Sequence, residues 1–275
     1  MREFVKMHAL GNDFAIFDGR TAPFSPEAAL IRRLADRRRG IGFDQLVLLE
    51  RGARAEARLR FFNADGSESG ACGNATRCVA RLLHDRGATQ TLALETAAGT
   101  LCCRVEPEGR VTVAMPEPRF LWDEIPLAEP CDTLALPLSL PGLPAPAAVN
   151  VGNPHAVFFV EELDELDVAA LGARVEHHPL FPERTNVGFA QIAGDGVLRL
   201  RVFERGVGVT PACGTAACAA VAVAVRRGLV REAARVILDG GVLEIRWPGR
   251  GAVEMTGPAS YSYLGTLHAD LLSAA

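Results

Sequence analysis

An internal repeat constrains the fold of this chain more than any other feature of its sequence. Cys72 and Cys213 are 141 residues apart. At this offset, seven of the seventeen positions in residues 59–75 are identical to the corresponding positions in residues 200–216. Composition alone would give about one or two identities. One folding module has therefore been used twice. In the first copy the identical residues are Leu59, Arg60, Phe62, Ala71, Cys72, Gly73 and Ala75.

A proline-rich segment separates the two copies. Nine of the seventeen prolines lie in residues 116–154. Because proline lacks a backbone N–H and fixes φ, this segment is neither a central sheet nor a long helix. We interpret it as the join between a first module, residues 1–117, and a second module, residues 118–261. The C-terminal tail, residues 262–275, is expected to pack on the first module.

The order of sequence patterns is the same in both copies and predicts an α+β fold. Ser25 is the expected N-cap of the first helix and Pro26 its first residue. After each Cys-Gly dipeptide, small residues predict a helix, at about residues 73–86 and 214–227. The second of these is Ala-rich and nearly free of charge, as expected of a helix surrounded by a sheet. We expect two similar modules, each a mixed β-sheet wrapped around a central helix, with an active-site cleft between them.

The composition is that of a globular protein and excludes several functional classes. The 275 residues are 49% hydrophobic and 23% charged, the net charge is -4, and the longest basic run is Arg37–Arg39. This distribution argues against nucleic-acid binding, which needs concentrated positive charge. No apolar run approaches the roughly 18–20 residues that span a bilayer, and the first residues lack a signal-peptide layout. We therefore expect a cytoplasmic protein without membrane contact.

Two of the seven cysteines occupy equivalent positions in the repeat and are candidate acid–base groups. Cys72 and Cys213 each follow a Gly-rich loop and precede a helix, whose amino terminus lowers the pKa of a thiol. Two thiols around one anion site suit the removal of a proton from one face of a carbon and its return to the other face. First-turn N–H groups would bind a carboxylate. The residues that supply them are Gly73, Asn74, Gly214 and Thr215.

Other uses of the cysteines stay open at this point. An odd number of cysteines in a reducing compartment argues against a disulfide framework and leaves catalysis, metal binding or core packing. Zinc is disfavoured because the spacing from Cys72 to Cys78, and from Cys213 to Cys218, is longer than that of paired zinc ligands. In pyridoxal phosphate chemistry, the Schiff-base role could fall only to Lys6, the single lysine of the chain.

The repeat is broken at polar positions near the cysteines. Asn63 corresponds to Glu204, and Phe14 corresponds to His155. His155 and Glu204 are therefore candidates to take up or orient thiol protons. Arg205, which has an alanine as its counterpart, could clamp a second carboxylate. Symmetric thiols with unsymmetric surroundings suit a substrate that has one reacting centre and one distant polar anchor.

Six motifs resemble a known family. In this order along the chain they are similar to diaminopimelate epimerases, which are pyridoxal-phosphate-independent amino acid racemases and epimerases. The motifs are KMHALGNDF from Lys6, GFDQ from Gly42, FFNADGSESGACGNATRC from Phe61, VGNPH from Val151, ERTNVGFAQI from Glu183 and ERGVGVTPACGTAAC from Glu204.

The resemblance implies a reaction and a set of site residues. The family interconverts LL- and meso-2,6-diaminopimelate, a dicarboxylic diamino acid, without metal or cofactor, for lysine and peptidoglycan biosynthesis, and a homodimer is usual. Cys72 and Cys213 match its catalytic thiols, and His155 and Glu204 match residues that assist them. The expected substrate-binding residues are Asn12, Gln45, Asn63, Gly73, Asn74, Asn153, Asn186, Glu204, Arg205, Gly214 and Thr215.

Two alternatives remain beside this reading. A proline or hydroxyproline racemase, or a phenazine-type isomerase, would share the fold, but a substrate with one carboxylate would not need Arg205 and several asparagines. The alternative of a different class is a thiol redox or metal-binding protein without turnover.

Overall fold

The computed structural model describes residues 2–70 and 72–272, which group into two compact units. The first unit contains the chain up to Val113 and again from Gly257, and the second contains Ala114–Thr256. Ala71, one of the repeat identities, lies outside the described residues, as do residues 273–275 of the predicted tail.

The first unit is built on a mixed sheet. Strands β1 and β2 pair antiparallel, β2 and β3 parallel, and β3 and β4 antiparallel. Strand β4 continues the sheet through a parallel pairing with β6, and β6, β7 and β8 are antiparallel. The bounds are β1 (Arg2–Ala9), β2 (Asn12–Asp18), α1 (Ala28–Ala35), β3 (Gln45–Glu50), β4 (Ala57–Asn63), β5 (Glu68–Ser69), α2 (Gly73–Asp85), β6 (Thr91–Thr96), β7 (Gly99–Val105) and β8 (Arg110–Met115).

The second unit repeats this order of elements and this pattern of pairing. Strands β9 and β10 are antiparallel, β10 and β11 parallel, β11 and β12 antiparallel, and β12 and β14 parallel. The antiparallel pairs of β14 with β15 and of β15 with β16 close it. The bounds are β9 (Ala147–Asn150), β10 (Pro154–Phe159), α3 (Val168–Glu176), β11 (Asn186–Gly194), β12 (Val197–Glu204), β13 (Gly208–Thr210), α4 (Gly214–Arg226), β14 (Ala233–Leu238), β15 (Gly241–Arg246) and β16 (Val253–Pro258).

After β16 the chain returns to the first unit, where two further elements follow. Strand β17 (Ser260–Leu267) pairs antiparallel with β1, and α5 (Ala269–Leu272) comes after it. Short 3-10 helices lie at Pro107–Gly109 and Leu163–Glu165. No helix in the described part of the chain is both long and apolar enough to span a membrane.

Each unit has a central helix that the sheet surrounds. Helix α2 packs against β1, β2, β6 and β7, and α4 packs against six strands of its own unit, from β9 to β15. The stretch Ala216–Ala224 of α4 is buried throughout, because its small apolar side chains allow strands to approach on all sides. The predicted α+β class with two similar modules is confirmed, and the predicted starts of both central helices are also confirmed.

One helix start is predicted wrongly. The expected cap was Ser25 with Pro26 in the first turn, but α1 begins at Ala28, and its N-cap is Glu27, whose backbone is extended. The carbonyl of Glu27 accepts the first helical hydrogen bond, from the N–H of Ile31 at 3.0 Å. The extended backbone of Glu27, with ψ at 156°, places Pro26 before the helix and not in its first turn.

The proline-rich segment does more than join the two modules. Residues 116–146, all of them described, form no helix or strand, in agreement with the prediction. The prediction is wrong for the rest of the segment, because β9 (Ala147–Asn150) and the first residue of β10, Pro154, belong to the sheet. The segment nevertheless belongs to the core of the second unit, where it packs beside α3 and β11. The buried side chains that it contributes are Ile125, Leu127, Leu136, Leu138 and Leu140.

Candidate active site

Cys72 is the N-cap of α2, the position that the repeat predicted. Its backbone is extended, and its Sγ accepts a hydrogen bond from the N–H of Ala75 at 3.5 Å. The Cys72 carbonyl accepts from both the N–H and the hydroxyl of Thr76, at 2.9 and 2.8 Å. The N–H groups of Gly73 and Asn74 lie in the first turn and have no acceptor within the helix. The sulfur therefore lies at the positive end of the helix dipole.

Four amide side chains of the first unit lie near one edge of its sheet. Asn12 begins β2, Gln45 begins the parallel strand β3, and Asn63 ends the antiparallel strand β4. Gln45 Nε2 donates to Asn63 Oδ1 at 2.9 Å, across a register pair of β3 and β4. Asn74 Nδ2 donates to Asn12 Oδ1 at 3.3 Å. The structure thus brings the predicted residues of this unit together as two amide pairs.

Gln45 also presents a buried acceptor. Its Oε1 is buried and accepts no hydrogen bond from the described residues. A buried polar atom without a partner is costly, and such atoms are rare in native structures. This oxygen is a candidate acceptor for a donor group of a ligand.

The equivalent edge of the second unit carries the remaining predicted residues. Asn153 directly precedes β10, Asn186 begins β11 and Glu204 ends β12. Asn153 Oδ1 is 2.9 Å from Nε2 of His155. Asn186 Nδ2 donates to the carbonyl of Pro154 at 2.9 Å, and its Oδ1 accepts from the N–H of Arg205 at 3.1 Å.

Cys213 is the N-cap of α4 and is 6% exposed. Its Sγ is 3.4 Å from the hydroxyl oxygen of Thr215. Burial, followed by the negative charge of Glu204, raises the pKa of the Cys213 thiol well above its usual value. The hydroxyl of Thr215 and the N–H of Ala216, both in the first turn of α4, act to lower this pKa as expected of a helix start, but desolvation of the thiolate outweighs them. In this arrangement Cys213 is a protonated thiol at neutral pH.

The surroundings of His155 determine its protonation state, and Glu204 has a hydrogen-bond partner. His155 is fully buried, and burial, followed by the positive charge of Arg205, lowers its pKa to about 3. The imidazole is therefore neutral at physiological pH, and its Nδ1 has no hydrogen-bond partner among the described residues. Glu204 Oε1 accepts a hydrogen bond from the hydroxyl of Thr210 at 2.5 Å.

Arg205 lies at the turn after β12, where it is exposed. Its Nη1 donates to the carbonyl of Glu183 at 2.9 Å, which leaves other donors of the guanidinium for a ligand. The next residue, Gly206, donates its N–H to Oε1 of the buried Glu176 at 2.7 Å. Glu176 thus holds the turn that presents Arg205.

Sequence reasoning missed several polar side chains that contact the predicted residues. They are Thr210 in the second unit, and Asp44 and Arg77 in the first. Glu176 was also missed; it contacts Gly206, the residue that follows Arg205. Asp44 directly precedes Gln45 in a motif already singled out, so adjacency was the available signal. Nothing in the sequence places Glu176 beside Gly206.

The described residues include neither a metal-binding cluster nor an unpaired lysine side chain. In residues 2–70 and 72–272, no group of three or more His, Cys, Asp or Glu side chains could hold a metal ion. Lys6 is nearly buried and forms an ion pair with Asp13.

Comparison with known proteins identifies the family. A family model described as diaminopimelate epimerase matches residues 4–121 and 147–262. Among curated proteins, the diaminopimelate epimerase of Rhizorhabdus wittichii is 54% identical over 270 residues, covering 98% of this chain and 95% of its own length. That of Acidiphilium cryptum is 48% identical over 272 residues, covering 99% of this chain and 98% of its own.

Solved structures share the fold at much lower identity. A phenazine biosynthesis protein of the PhzF family from Enterococcus faecalis has a TM-score of 0.70 at 17% identity, covering 97% of this chain and 99% of its own. A hydroxyproline epimerase from Agrobacterium vitis has a TM-score of 0.68 at 19% identity, covering 96% and 93%. These two likenesses concern the fold alone.

The motifs, the duplicated fold and the near-complete matches at about half identity agree, so the resemblance noted from the sequence is confirmed: the chain belongs to the diaminopimelate epimerase family.

Proposed function

We propose that this protein interconverts LL- and meso-2,6-diaminopimelate, with Cys72 and Cys213 as the two acid–base groups. The observation that carries the proposal is that both cysteines are N-caps of equivalent helices, in units with the same strand pairing. An N-cap thiol lies beside unpaired N–H groups, which suit a substrate carboxylate. Membership of the family supplies the substrate and the isomerase class.

In the proposed reaction, one sulfur acts as thiolate and removes the proton from the α-carbon of the substrate. The other sulfur, as thiol, gives its proton to the opposite face of the same carbon. No electrons are gained or lost, and the two sulfurs end with exchanged protonation states. First-turn N–H groups would stabilise the negative charge that develops on the α-carboxylate as the proton leaves.

The protonated Cys213 suits the role of proton donor. Its raised pKa keeps the proton on sulfur until a base removes it. Glu204, whose charge contributes to that shift, would accept the proton when Cys213 must act in the reverse direction. His155, neutral because of its low pKa, would orient groups by hydrogen bonding rather than by charge.

Substrate recognition would use the unsymmetric residues around the thiols. The unpaired Oε1 of Gln45 would accept from an ammonium group, and Arg205 would bind the distal carboxylate. Asn12, Asn63 and Asn74 of the first unit would also contact the substrate, and so would Asn153 and Asn186 of the second unit. A reaction of this kind needs neither a metal nor a cofactor. It would supply lysine and peptidoglycan biosynthesis in the cytoplasm.

We also propose that the protein is a homodimer. Strand β17 has four successive exposed residues, Tyr261–Leu264, so each face of the strand carries exposed side chains there. Leu264 is 74% exposed and Tyr263 is 47% exposed. Adjacent exposed apolar side chains mark interaction surfaces, and a second copy of the chain is the proposed occupant.

Deuterium exchange tests the reaction. Purified protein, reduced and treated with EDTA, is incubated in D₂O with LL-diaminopimelate, L-proline or trans-4-hydroxy-L-proline, and products are followed by NMR and chiral chromatography. Deuterium at the α-carbon of diaminopimelate, with formation of the meso isomer, is expected. Turnover of the proline compounds alone would support the related racemases instead, and absence of exchange with all three would exclude the racemase activities.

Cysteine variants test the two-base scheme. Cys72→Ala and Cys213→Ala should each lower the epimerisation rate by about 10³-fold or more, since each removes a group that transfers a proton in the transition state. Cys102→Ala, which changes an exposed cysteine, is the matched control and should keep full activity. Substantial turnover by either of the first two variants would exclude the scheme.

A further inference from the structure

A chain of hydrogen bonds in the first unit links two predicted substrate-binding amides to charged residues outside the predicted set. Arg77, fully buried on α2, donates from Nη2 to Asn74 Oδ1 at 2.8 Å. Asn74 Nδ2 in turn donates to Asn12 Oδ1 at 3.3 Å. Asn12 Nδ2 donates to Asp44 Oδ2 at 2.8 Å. The chain therefore runs from a cation, through two amides, to an anion.

The charged ends of this chain give each amide a single orientation. A guanidinium can only donate hydrogen bonds and a carboxylate can only accept them, whereas an amide side chain does both. Rotation of the Asn12 amide by half a turn would direct its oxygen at Asp44 and its nitrogen at the nitrogen of Asn74. Both hydrogen bonds of Asn12 would be lost, so the observed orientation is the stable one.

Asp44 is itself held firmly in place. Its Oδ2 accepts from the N–H of Asp13 at 3.1 Å, and Asp13 Oδ1 accepts from the N–H of Asp44 at 2.9 Å. Arg37 bridges the two carboxylates, with Nη2 at 2.8 Å from Asp13 Oδ1 and from Asp44 Oδ1. Asp13 directly follows Asn12, and Asp44 directly precedes Gln45. The cluster therefore joins the chain segments beside the Asn12 and Gln45 amides, both of which belong to the predicted site.

Burial and ion pairing act on Asp13 in opposite directions. Burial alone would raise the pKa of Asp13, but the hydrogen bonds from Arg37 and Lys6 outweigh it and hold that pKa well below the usual range. Lys6 is also nearly buried, with 8% of its side chain exposed. Asp13 therefore stays ionised throughout the neutral pH range.

The second unit has no equivalent of these charges. The residues at the same offset in the repeat cannot form the ion pairs seen in the first unit, so the cluster is a feature of one unit and not of the shared fold. The counterparts of Lys6, Asp13, Arg37, Asp44 and Arg77 are Ala147, Pro154, His178, Thr185 and Cys218.

We propose that Asp44 and Arg77 are positioning residues that fix the orientation of the Asn12 and Asn74 amides toward the substrate. This inference rests on the proposed function, because it assumes that these amides contact the substrate. An amide in the wrong orientation presents a donor where the substrate needs an acceptor, or the reverse. Contacts of this kind persist from the bound substrate to the transition state, so their loss raises KM and leaves kcat nearly unchanged.

The kinetic test compares Asp44→Asn with Asp36→Asn. Asparagine at position 44 keeps the shape of the side chain but can donate as well as accept, so it no longer selects one orientation of Asn12. We expect a KM for LL-diaminopimelate about tenfold higher, the effect of one charge-assisted hydrogen bond, and a kcat within about twofold of the wild type. Asp36 also accepts N–H groups, from Arg38 and Arg39, but contacts neither amide. Its variant should match the wild type.

Other kinetic outcomes would overturn the proposal. A lower kcat at unchanged KM would indicate a smaller fraction of folded enzyme and a purely structural role for Asp44. Unchanged values of both constants would show that Asp44 does not position the amide. Arg77→Gln should also raise KM. Because Arg77 is buried, its replacement can prevent folding, and in that case Asp44→Asn decides.

Side-chain NMR gives a readout that does not depend on activity. The ¹⁵N-labelled side-chain amides of Asn12 and Asn74, assigned from variants that remove them, should each give one pair of signals in the wild type and in Asp36→Asn. In Asp44→Asn the Asn12 signals should shift or double and exchange faster with solvent. Unmoved signals would overturn the positioning role even in an active enzyme. An inactive wild type with the expected signals would overturn the proposed function alone.

Discussion

At the scale of single residues, burial decides the protonation states in the second unit. Cys213 and His155 both lie away from solvent, and in each the neutral form is favoured because its charged form loses hydration. The thiol keeps its proton and the imidazole stays without a second one. Both groups are therefore neutral at the pH where the proposed reaction would begin.

Replacement of His155 by glutamine should make the protein less sensitive to acid. The folded-state pKa of about 3 lies below the ordinary 6.5, so the unfolded chain takes up this proton first as the pH falls. The free energy of unfolding should therefore decrease below pH 6.5, by up to about 1.4 kcal/mol per pH unit from this residue. His155→Gln, which cannot take up the proton, should show a smaller decrease in urea titrations between pH 6.5 and 5.

A histidine at the surface is the control for that measurement. His268, whose side chain is 75% exposed, can be changed to glutamine in the same way. Its variant should keep the pH dependence of the wild type. Equal slopes for the wild type and His155→Gln would contradict the assignment of a low pKa to His155.

Some of these residue-scale features were predictable from the sequence and others were not. The repeat was sufficient to place Cys72 and Cys213 at helix starts, because small residues after Cys-Gly carry a local signal. The raised pKa of Cys213 depends on tertiary burial, which no local pattern contains. The contact between Arg37 and Asp13 joins residues far apart in the chain, and charged residues near a loop are usually solvated.

At the scale of elements, α3 and β12 approach closely at a glycine. A Cβ on Gly172 would lie 2.4 Å from Cβ and from Cγ of Phe203, a distance that real contacts do not reach. The absence of a side chain at this position therefore lets the helix lie against the strand. The same strand ends at Glu204, so this contact also supports the site.

Gly172→Ala should destabilise the protein although alanine favours helices. The gain of up to about 1 kcal/mol in helix propensity is smaller than the roughly 1–3 kcal/mol that overpacking costs. A lower melting temperature in calorimetry is expected. Gly70→Ala is the matched control, since a Cβ there would meet no atom within 4 Å. A melting temperature for Gly172→Ala at or above that of the wild type would contradict the packing argument.

Elements were predictable to the extent that their signals are local. The central helices follow from runs of small residues, whereas the start of α1 depends on how the chain around Pro26 packs. The core contribution of the proline-rich segment was not predictable. Its buried leucines have neither helical nor strand periodicity, so the sequence shows apolar residues without indicating what they pack against.

At the scale of the whole molecule, the proposed dimer can be tested by charging β17. Leu264→Glu places a carboxylate on the exposed strand, where burial against a second copy would cost its hydration. The wild type should have the mass of a dimer in light scattering after size exclusion, and this variant the mass of a monomer.

The same substitution at another exposed leucine is the control. Leu121, in the second unit, is 64% exposed, and Leu121→Glu should remain dimeric. A monomeric wild type, or a Leu264→Glu variant that stays dimeric at micromolar concentration, would contradict a dimer through β17.

The charged cluster of the first unit has a consequence for the history of the chain. A gene that has just been duplicated encodes two identical halves, so a cluster now found in one half was either gained there or lost from the other after the duplication. The halves have since diverged: the first has ion pairs beside its amides, and the second has no lysine, arginine, aspartate or glutamate at the corresponding positions. They are no longer interchangeable, and a chain assembled from two copies of either half would lack residues on which the present one depends.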